Sequence, residues 1–506
     1  MRTNILDYLD RGGLESAPQS NWIQDGELAW SFEQFAGLTR RIGSALIDVG
    51  VGPGHVVAVF FPNSAHVLAG DFGILRTGAA FMNLDVTLPT PRLRAIFDSV
   101  DPRMILVTQA LREKIPADLM HKTVVYEDLL EAAIDEHALA RRRSSLIDTD
   151  PACLISTSGS TGVPKAVALS HRGLIDFGDW FDQTFDFNAN DVVGSLSPLF
   201  FDGYIPGLFM SLLHGGKFVI LPKEAAAFPV KLAEQLVQRD ITFIFWVPST
   251  LVPMAKFRIL DSNPMPKLRF VGFAGEVMPP TTLTYFRNAL PHAQFVNFYG
   301  PIEVSVICTY FVVPPDFPED MPVPIGVPCA NSRVLVLDEG DALCATGQAG
   351  ELCVAGSCVA LGYWNNPEKT EAAFVRNPLV ASHAETIYRT GDIAAVEADG
   401  NISFVGRKDF QIKHQGYRID LGEIEHAADV ALGAKAVSVI YDRSARTIVL
   451  FYEAVCELSA QEVRSELGAR LPKYMLPQKI VRLVTMPLNP NGKIDRKLLE
   501  SSINLP

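Results

Sequence analysis

The chain has 506 residues, 48% of them apolar, and a formal net charge of −13 at pH 7. That length suits one large composite domain and a smaller one. The acidic balance excludes the basic face that nucleic-acid binding requires, and no apolar run reaches the length of a membrane span. Seven cysteines without CxxC pairs or zinc-like spacing fit thiols packed as small apolar groups in a reducing cytoplasm. The N-terminus (MRTNILDYLDRGG) has acids where a secretory leader would have an apolar core, so a cytoplasmic location is expected.

Taken in order, Ser31 caps a helix that runs through Ala45-Leu46-Ile47 to Gly50, and Val56 to Phe61 reads as a buried strand stopped by Pro62-Asn63-Ser64. Leu75 to Leu84 reads as a helix end, a glycine and a strand, while Arg141, Arg142 and Arg143 read as the solvated end of a helix. Strand and helix alternate without a fixed repeat, which implies wound, largely parallel sheets.

The stretch LISTSGSTGVPKAVALSH, Leu154 to His171, sets a Ser/Thr/Gly loop between two apolar strands. Thr157, Ser158, Gly159, Ser160, Thr161 and Gly162 offer unobstructed N–H groups and hydroxyls, and Lys165 offers a cation. Those are the parts that hold polyphosphate oxygens. The glycine spacing is not that of a Walker A loop; a flexible connection is the alternative. Further on, Asp202 sits in an apolar segment before a helix-like run from Gly207 to His214. It either begins that helix, favoured by the dipole, or awaits a cation. Ile241 to Pro248 and Phe270 to Glu276 read as buried strands, and Phe295 to Glu303 as a strand ending in a Gly-Pro turn. In wound sheets, sites form at such strand ends. From Gln348 the strands become short and glycine-punctuated, Gly406 to Asp409 is charged and turn-like, and Asn489-Pro490-Asn491-Gly492 presents Lys493 on a turn.

The motifs TSGSTGVPK, FD at 201–202, YGPIE at 299–303, GELCVAG at 350–356, YRTGD at 388–392, GRKDFQIKHQGYRIDLGEIE at 406–425, LPKYMLP at 471–477 and NPNGKIDR at 489–496 stand in one order. This order resembles the adenylate-forming superfamily of acyl-CoA synthetases, luciferases and nonribosomal peptide synthetase adenylation domains. The GYRIDLGEIE and NGKIDR forms resemble amino-acid adenylation enzymes and D-alanine–carrier protein ligases. The resemblance implies an α/β fold: a large N-terminal core of wound, mostly parallel sheets with a β-barrel-like subdomain (1–405), and a small mobile α+β C-terminal domain (406–506).

The resemblance also implies a reaction. A carboxylate attacks the α-phosphorus of ATP, and the acyl adenylate then passes to the phosphopantetheine thiol of a carrier protein. Matching positions imply that Lys493 contacts the substrate carboxylate and that the 157–165 loop, with Lys165, holds the β- and γ-phosphates. Glu303 would ligate Mg2+, Asp392 the ribose hydroxyls, and Asn297, Tyr299, Gly300 and Arg407 the nucleotide, with Tyr299 on adenine. Asp409 would be the hinge, and the segment around Gly416 would meet the thiol during transfer. Asp202 would pair with an amino group, and Gly203, Pro206, Phe245, Gly272, Ala274, Phe298, Val306 and Ile307 would line an uncharged pocket. Phe245 and Phe298 consume volume there, while Gly272 and Ala274 give some back. That favours a small or medium apolar amino acid, alanine first, with proline or a β-amino acid as alternatives.

Two departures from the family pattern are Ile302 where threonine is usual and Ala166 where glycine is usual. The chain ends soon after Arg496, so a free-standing enzyme with a separate carrier protein is expected. An acyl-CoA ligase and a noncatalytic nucleotide- or carrier-binding module are the rival readings.

Overall fold

The computed structural model describes residues 2–157, 164–408, 410–453, 458–488 and 494–503. It divides into two compact units. The first comprises Met1–Asp85, Pro102–Ser156 and Ala166–Lys408, and the second Val86–Asp101, Thr157–Lys165 and Asp409–Pro506.

Two large sheets dominate the first unit. In the nine-stranded sheet, the strands Gln294–Tyr299, Phe270–Ala274, Phe243–Trp246, Val192–Ser195, Lys217–Ile220 and Asn21–Asp25 lie parallel in that spatial order. Antiparallel strands close both of its edges. These strands read as continuous apolar runs because both faces are buried. Phe243, Phe245, Phe270, Val296 and Phe298 enter one core, while Ile244, Trp246, Val271, Phe273 and Phe295 enter another. The alternation follows from side chains pointing to opposite faces along a strand.

The seven-stranded sheet places Pro151–Thr157 between Ala80–Asn83 and Lys165–Ser170. Its helices begin and end by local chemistry. Ser31 and Gln34 form a reciprocal capping box on Phe32–Asp48, and Ser170 accepts from the Gly173 N–H at the start of His171–Thr184. A third, five-stranded sheet is wholly antiparallel, built on the long strand Thr386–Val396. The wound sheets and the barrel-like sheet expected above are thus present.

One expectation needs correction. The helix Glu136–Ser145 ends in arginines, but Arg143 is not simply solvated: its guanidinium donates to Asn4 and to the fully buried Asp7. The pair joins residues far apart in sequence, so no local pattern announces it.

The second unit carries the hairpin Gln411–His414/Tyr417–Asp420, closed by Gln415 (φ 52°) and Gly416 (φ 81°). Two consecutive positive φ values make the tight turn that matches strand twist. A three-stranded sheet of Ala436–Asp442, Thr447–Glu453 and Lys479–Leu483 packs with the helices Leu421–Leu432 and Ala460–Gly468. Within this unit Arg92, on Thr90–Val100, forms a buried ion pair with Glu423. Breaking such a pair from one side typically costs about 3–5 kcal/mol.

His171 gives the fold a pH dependence. It is buried, and its Nδ1 accepts from the Ile5 N–H at 3.2 Å. Burial first, then Arg143, pushes its pKa down from 6.5 to about 4. Between those values the unfolded chain binds a proton that the folded chain refuses, so this contribution is lost as pH falls through the window. At pH 5 the loss is about 2 kcal/mol relative to pH 7. Urea unfolding at the two pH values should show it, and His171→Gln, which keeps an acceptor for Ile5, should flatten the dependence.

Candidate functional site

The long antiparallel strand of the first unit delivers Asp392 into a nearly closed environment, where it is 2% exposed. Its carboxylate accepts from the Arg407 guanidinium on one oxygen and from the Tyr299 hydroxyl on the other. Arg407 also donates to the carbonyl of Thr390 at 3.2 Å, and the Thr390 hydroxyl accepts from the Asp392 N–H at 2.9 Å. The cluster joins the end of the parallel strand Gln294–Tyr299 to the antiparallel sheet, so three of the residues matched to the nucleotide meet at one point. Burial, and then the neighbouring Asp392 charge, raises the Tyr299 phenol well above its ordinary pKa, so it stays a donor. Asn297 is buried next along the strand and donates to the Pro324 carbonyl at 2.7 Å.

Beyond Tyr299 the chain turns sharply. A Cβ on Gly300 would lie 2.5 Å from the Val306 carbonyl oxygen and 2.6 Å from the Ile307 Cα, so only glycine lets these backbones approach. Ser305 and Val306 have φ of 53° and 81°, and the Ile307 N–H donates to the Ser305 carbonyl at 3.2 Å. This is a γ-turn centred on a β-branched residue, a strained arrangement costing about 1–3 kcal/mol. The turn delivers Val306 and Ile307, each 3% exposed, into the same core as Phe245 and Phe298.

Phe245 lies opposite Gly272 in the parallel register, and Ala274 opposite Phe298. The rings of Phe245 and Phe298 sit 5.3 Å apart. Phe298 continues into a cluster with Phe181, Phe185 and Phe270. The expectation that Gly272 returns volume to the pocket is therefore corrected. A Cβ there would lie 2.9 Å from the Phe245 ring and 3.1 Å from each of the Phe270 and Phe298 rings. The space above this glycine is already filled by aromatic carbon.

Asp202 is half-buried on the turn that leads into the helix Ile205–His214, with Gly203 beside it and Pro206 in the helix's first turn. The cap residue is Tyr204, and the Asp202 carbonyl accepts from the Ile205 N–H at 3.0 Å. The Tyr204 side chain makes no cap hydrogen bond, and Asp202 stands two residues before it, at the start of the helix.

Glu303 lies on a short turn of helix and is fully buried, accepting from the Tyr363 hydroxyl at 2.9 Å. Among the described residues no group of three acidic, histidine or cysteine side chains could enclose a metal. A lone buried carboxylate fits Mg2+, which keeps waters and takes one or two carboxylates together with substrate phosphates. Tyr363, which sequence reasoning passed over, stands in the GYW triplet after the GELCVAG motif, and Thr390 lies inside YRTGD.

Thr157 and Lys165 flank the Ser/Thr/Gly loop, with the Thr157 hydroxyl 3.4 Å from the Lys165 carbonyl. Ser158, Gly159, Ser160, Thr161, Gly162, Asp409 and Lys493 lie outside the described residues. Gly416 closes the hairpin of the second unit.

Adding a single methyl at Gly272 should be felt throughout this wall. Gly272→Ala should destabilise the protein by about 1–3 kcal/mol through overpacking, and Gly272→Ala combined with Phe298→Leu should recover part of that loss. Chemical denaturation of the three proteins checks both signs.

The family described as AMP-binding enzyme matches residues 15–364. The chain is 33% identical over 467 residues to Gramicidin S synthase 2 of Brevibacillus brevis, covering 91% of this chain and 10% of that protein. It is 31% identical over 472 residues to Tyrocidine synthase 1 of Brevibacillus parabrevis, covering 93% of this chain and 42% of that one. It therefore spans less than half of either relative. Among solved structures, an artificially fused adenylation–PCP didomain, NpsA-ThdA from Klebsiella oxytoca, superposes with a TM-score of 0.82 at 22% identity, covering 95% of this chain and 94% of that one. The Vibrio cholerae adenylation domain AlmE in complex with glycyl-adenosine-5'-phosphate gives 0.84 at 20%, covering 99% and 98%. At these identities the two structures speak for the fold. Together with the motif order and the match over residues 15–364, they lead to one conclusion: the chain belongs to the AMP-binding enzyme family, within the adenylate-forming superfamily.

Proposed function

We propose that this protein activates a small or medium neutral amino acid, alanine first, as its adenylate and hands it to the phosphopantetheine thiol of a carrier protein. The observation that carries the reading is Asp202: a half-buried carboxylate on the turn before Ile205–His214, in a protein whose pocket-matched side chains are otherwise uncharged. An amino acid's ammonium group is the cation such a carboxylate suits. The ring-filled wall over Gly272 supports a small side chain. The relatives, named as synthases of gramicidin S and of tyrocidine, support the same class.

In the first half-reaction, a carboxylate oxygen of the amino acid bonds to the α-phosphorus of ATP. The bond to the bridging oxygen breaks, and pyrophosphate leaves with the electron pair. Negative charge builds on the transferring phosphoryl group and its leaving group, so fixed cations and N–H donors aimed there do most of the work. Lys493 steadies the carboxylate and bridging oxygen, Lys165 and the hydroxyls of the 157–162 loop hold the outer phosphates, and Asp392 receives the ribose hydroxyls. Glu303 would hold Mg2+, which offsets polyphosphate charge when bound. In the second half-reaction the thiol sulfur adds to the acyl carbon, its proton is released, and AMP departs. The segment around Gly416 lines the approach of the thiol after rotation at Asp409.

Amino-acid-dependent exchange of labelled pyrophosphate into ATP tests the reading. Exchange should be strongest with alanine among a panel of amino acids. Asp202→Ala should cut it a hundredfold or more, about 3–5 kcal/mol for an orphaned charge partner, and Lys493→Ala should abolish it. Exchange only with simple carboxylic acids, or undiminished exchange in Lys493→Ala, would overturn the proposal.

A further inference from the structure

Behind the Asp202 segment lies a polar arrangement that none of the motifs quoted above includes. Asp71, on the helix Ala65–Arg76, is 0% exposed, and Asn83, the last residue of the strand Ala80–Asn83, is 7% exposed. The Asn83 Nδ2 donates to Asp71 Oδ2 and to the Leu199 carbonyl, each at 2.9 Å. The Leu199 carbonyl can only accept, which settles the orientation of the Asn83 amide. On the other side of the same residue, the Leu199 N–H donates to Asn63 Oδ1 at 2.8 Å. Leu199 is thus gripped at both its backbone polar groups, three residues before Asp202. From there the chain makes two tight turns, Phe201 N–H to the Pro198 carbonyl and Ile205 N–H to the Asp202 carbonyl, and enters its helix.

Such burial is expensive unless it does something. A buried polar group with an unfilled hydrogen bond costs about 1–3 kcal/mol. Among the described residues, neither Asp71 Oδ1 nor Asn83 Oδ1 meets a donor. Asp71 also lines a small cavity of ≈ 10 Å³ with Cys153, Tyr204 and apolar side chains, at the threshold of about 10–15 Å³ for a single water. An apolar residue at position 71 would fill this space at less cost. Asp71 and Asp202 both act electrostatically on Cys153 and Tyr204. Burial raises the Asp71 carboxyl well above its ordinary pKa.

We propose that Asp71 and Asn83 are positioning residues for amino-acid recognition. Asn83 fixes the Leu199 carbonyl, Asp71 fixes Asn83, and the pair sets where the Asp202 carboxylate meets the substrate's ammonium group. This rests on the function proposed above.

The test is pyrophosphate exchange with the full chain, with KM for amino acid and for ATP measured separately. Asn83→Leu and Asp71→Leu should raise KM for the amino acid tenfold or more and leave KM for ATP within twofold. Asp71→Asn, which keeps an acceptor and adds a donor without charge, should restore the amino-acid KM to within about threefold of the parent. Asn63 is exposed, so Asn63→Ala should fold even where the buried variants do not, and it should raise the amino-acid KM by a smaller factor in the same selective way. An unchanged amino-acid KM in Asn63→Ala and in any folded leucine variant would overturn the proposal. So would parallel rises in both KM values, or an Asp71→Asn variant as impaired as Asp71→Leu. A parent protein silent with every amino acid would refute the functional reading and this inference with it, whereas an active parent with indifferent variants would refute this inference alone.

Discussion

Negative charge taken out of water must be answered inside the protein, and the first unit answers it differently at each place. An ionised carboxylate moved into a medium of low polarity is costly unless it is paired, hydrogen-bonded or neutralised. Asp191 takes a guanidinium, from Arg269, together with the Thr242 hydroxyl. Asp392 takes the Arg407 guanidinium and the Tyr299 phenol. Glu303 takes a phenol from Tyr363. Asp71 takes an amide, and burial raises its carboxyl well above the ordinary pKa. Asp191 is a structural clasp, answered fully from within. Asp191 and Asp392 are each answered by a guanidinium, whereas Glu303 and Asp71 accept from neutral donors, Tyr363 and Asn83.

These carboxylates can be held where they are because the sheets beneath them are stiff. Parallel strands covered on both faces bury nearly all their side chains, and close packing passes small displacements on rather than absorbing them. The aromatic cluster from Phe181 to Phe298 is part of this rigidity. Ring pairs at 4.5–7 Å contribute about 0.5–1.5 kcal/mol each beyond their burial. A wall of that kind leaves little room to rearrange around Gly272.

The two-sided strands were legible because burial on both faces leaves an unbroken apolar run, as in FIFW at 243–246 and FVGFA at 270–274. Ser31 and Gln34 announced their helix by local spacing alone. The candidate site was legible only through the order of the motifs, since Asp392, Glu303 and Asp202 look singly like ordinary turn residues. What stayed hidden depends on distant partners. Arg143 finds Asp7 across 136 positions, Glu303 finds Tyr363 across 60, and Asn83 finds Leu199 across 116. No window of sequence carries such meetings. The volume at Gly272 was misjudged for a related reason: composition counts a missing side chain as space, whereas three neighbouring rings had already occupied it.

The turn at Val306 bears on any attempt to recast this pocket. Its positive φ suits glycine or asparagine far better than a branched side chain. Exchanging that residue therefore alters the local energy of the main chain as well as the lining. A transplanted set of pocket side chains inherits this loop's tension, and the carbonyl at Val306, resting against Gly300, will shift whenever that tension is released. Backbone shape constrains whatever residue is placed at this turn, so redesign here must treat the loop as a whole.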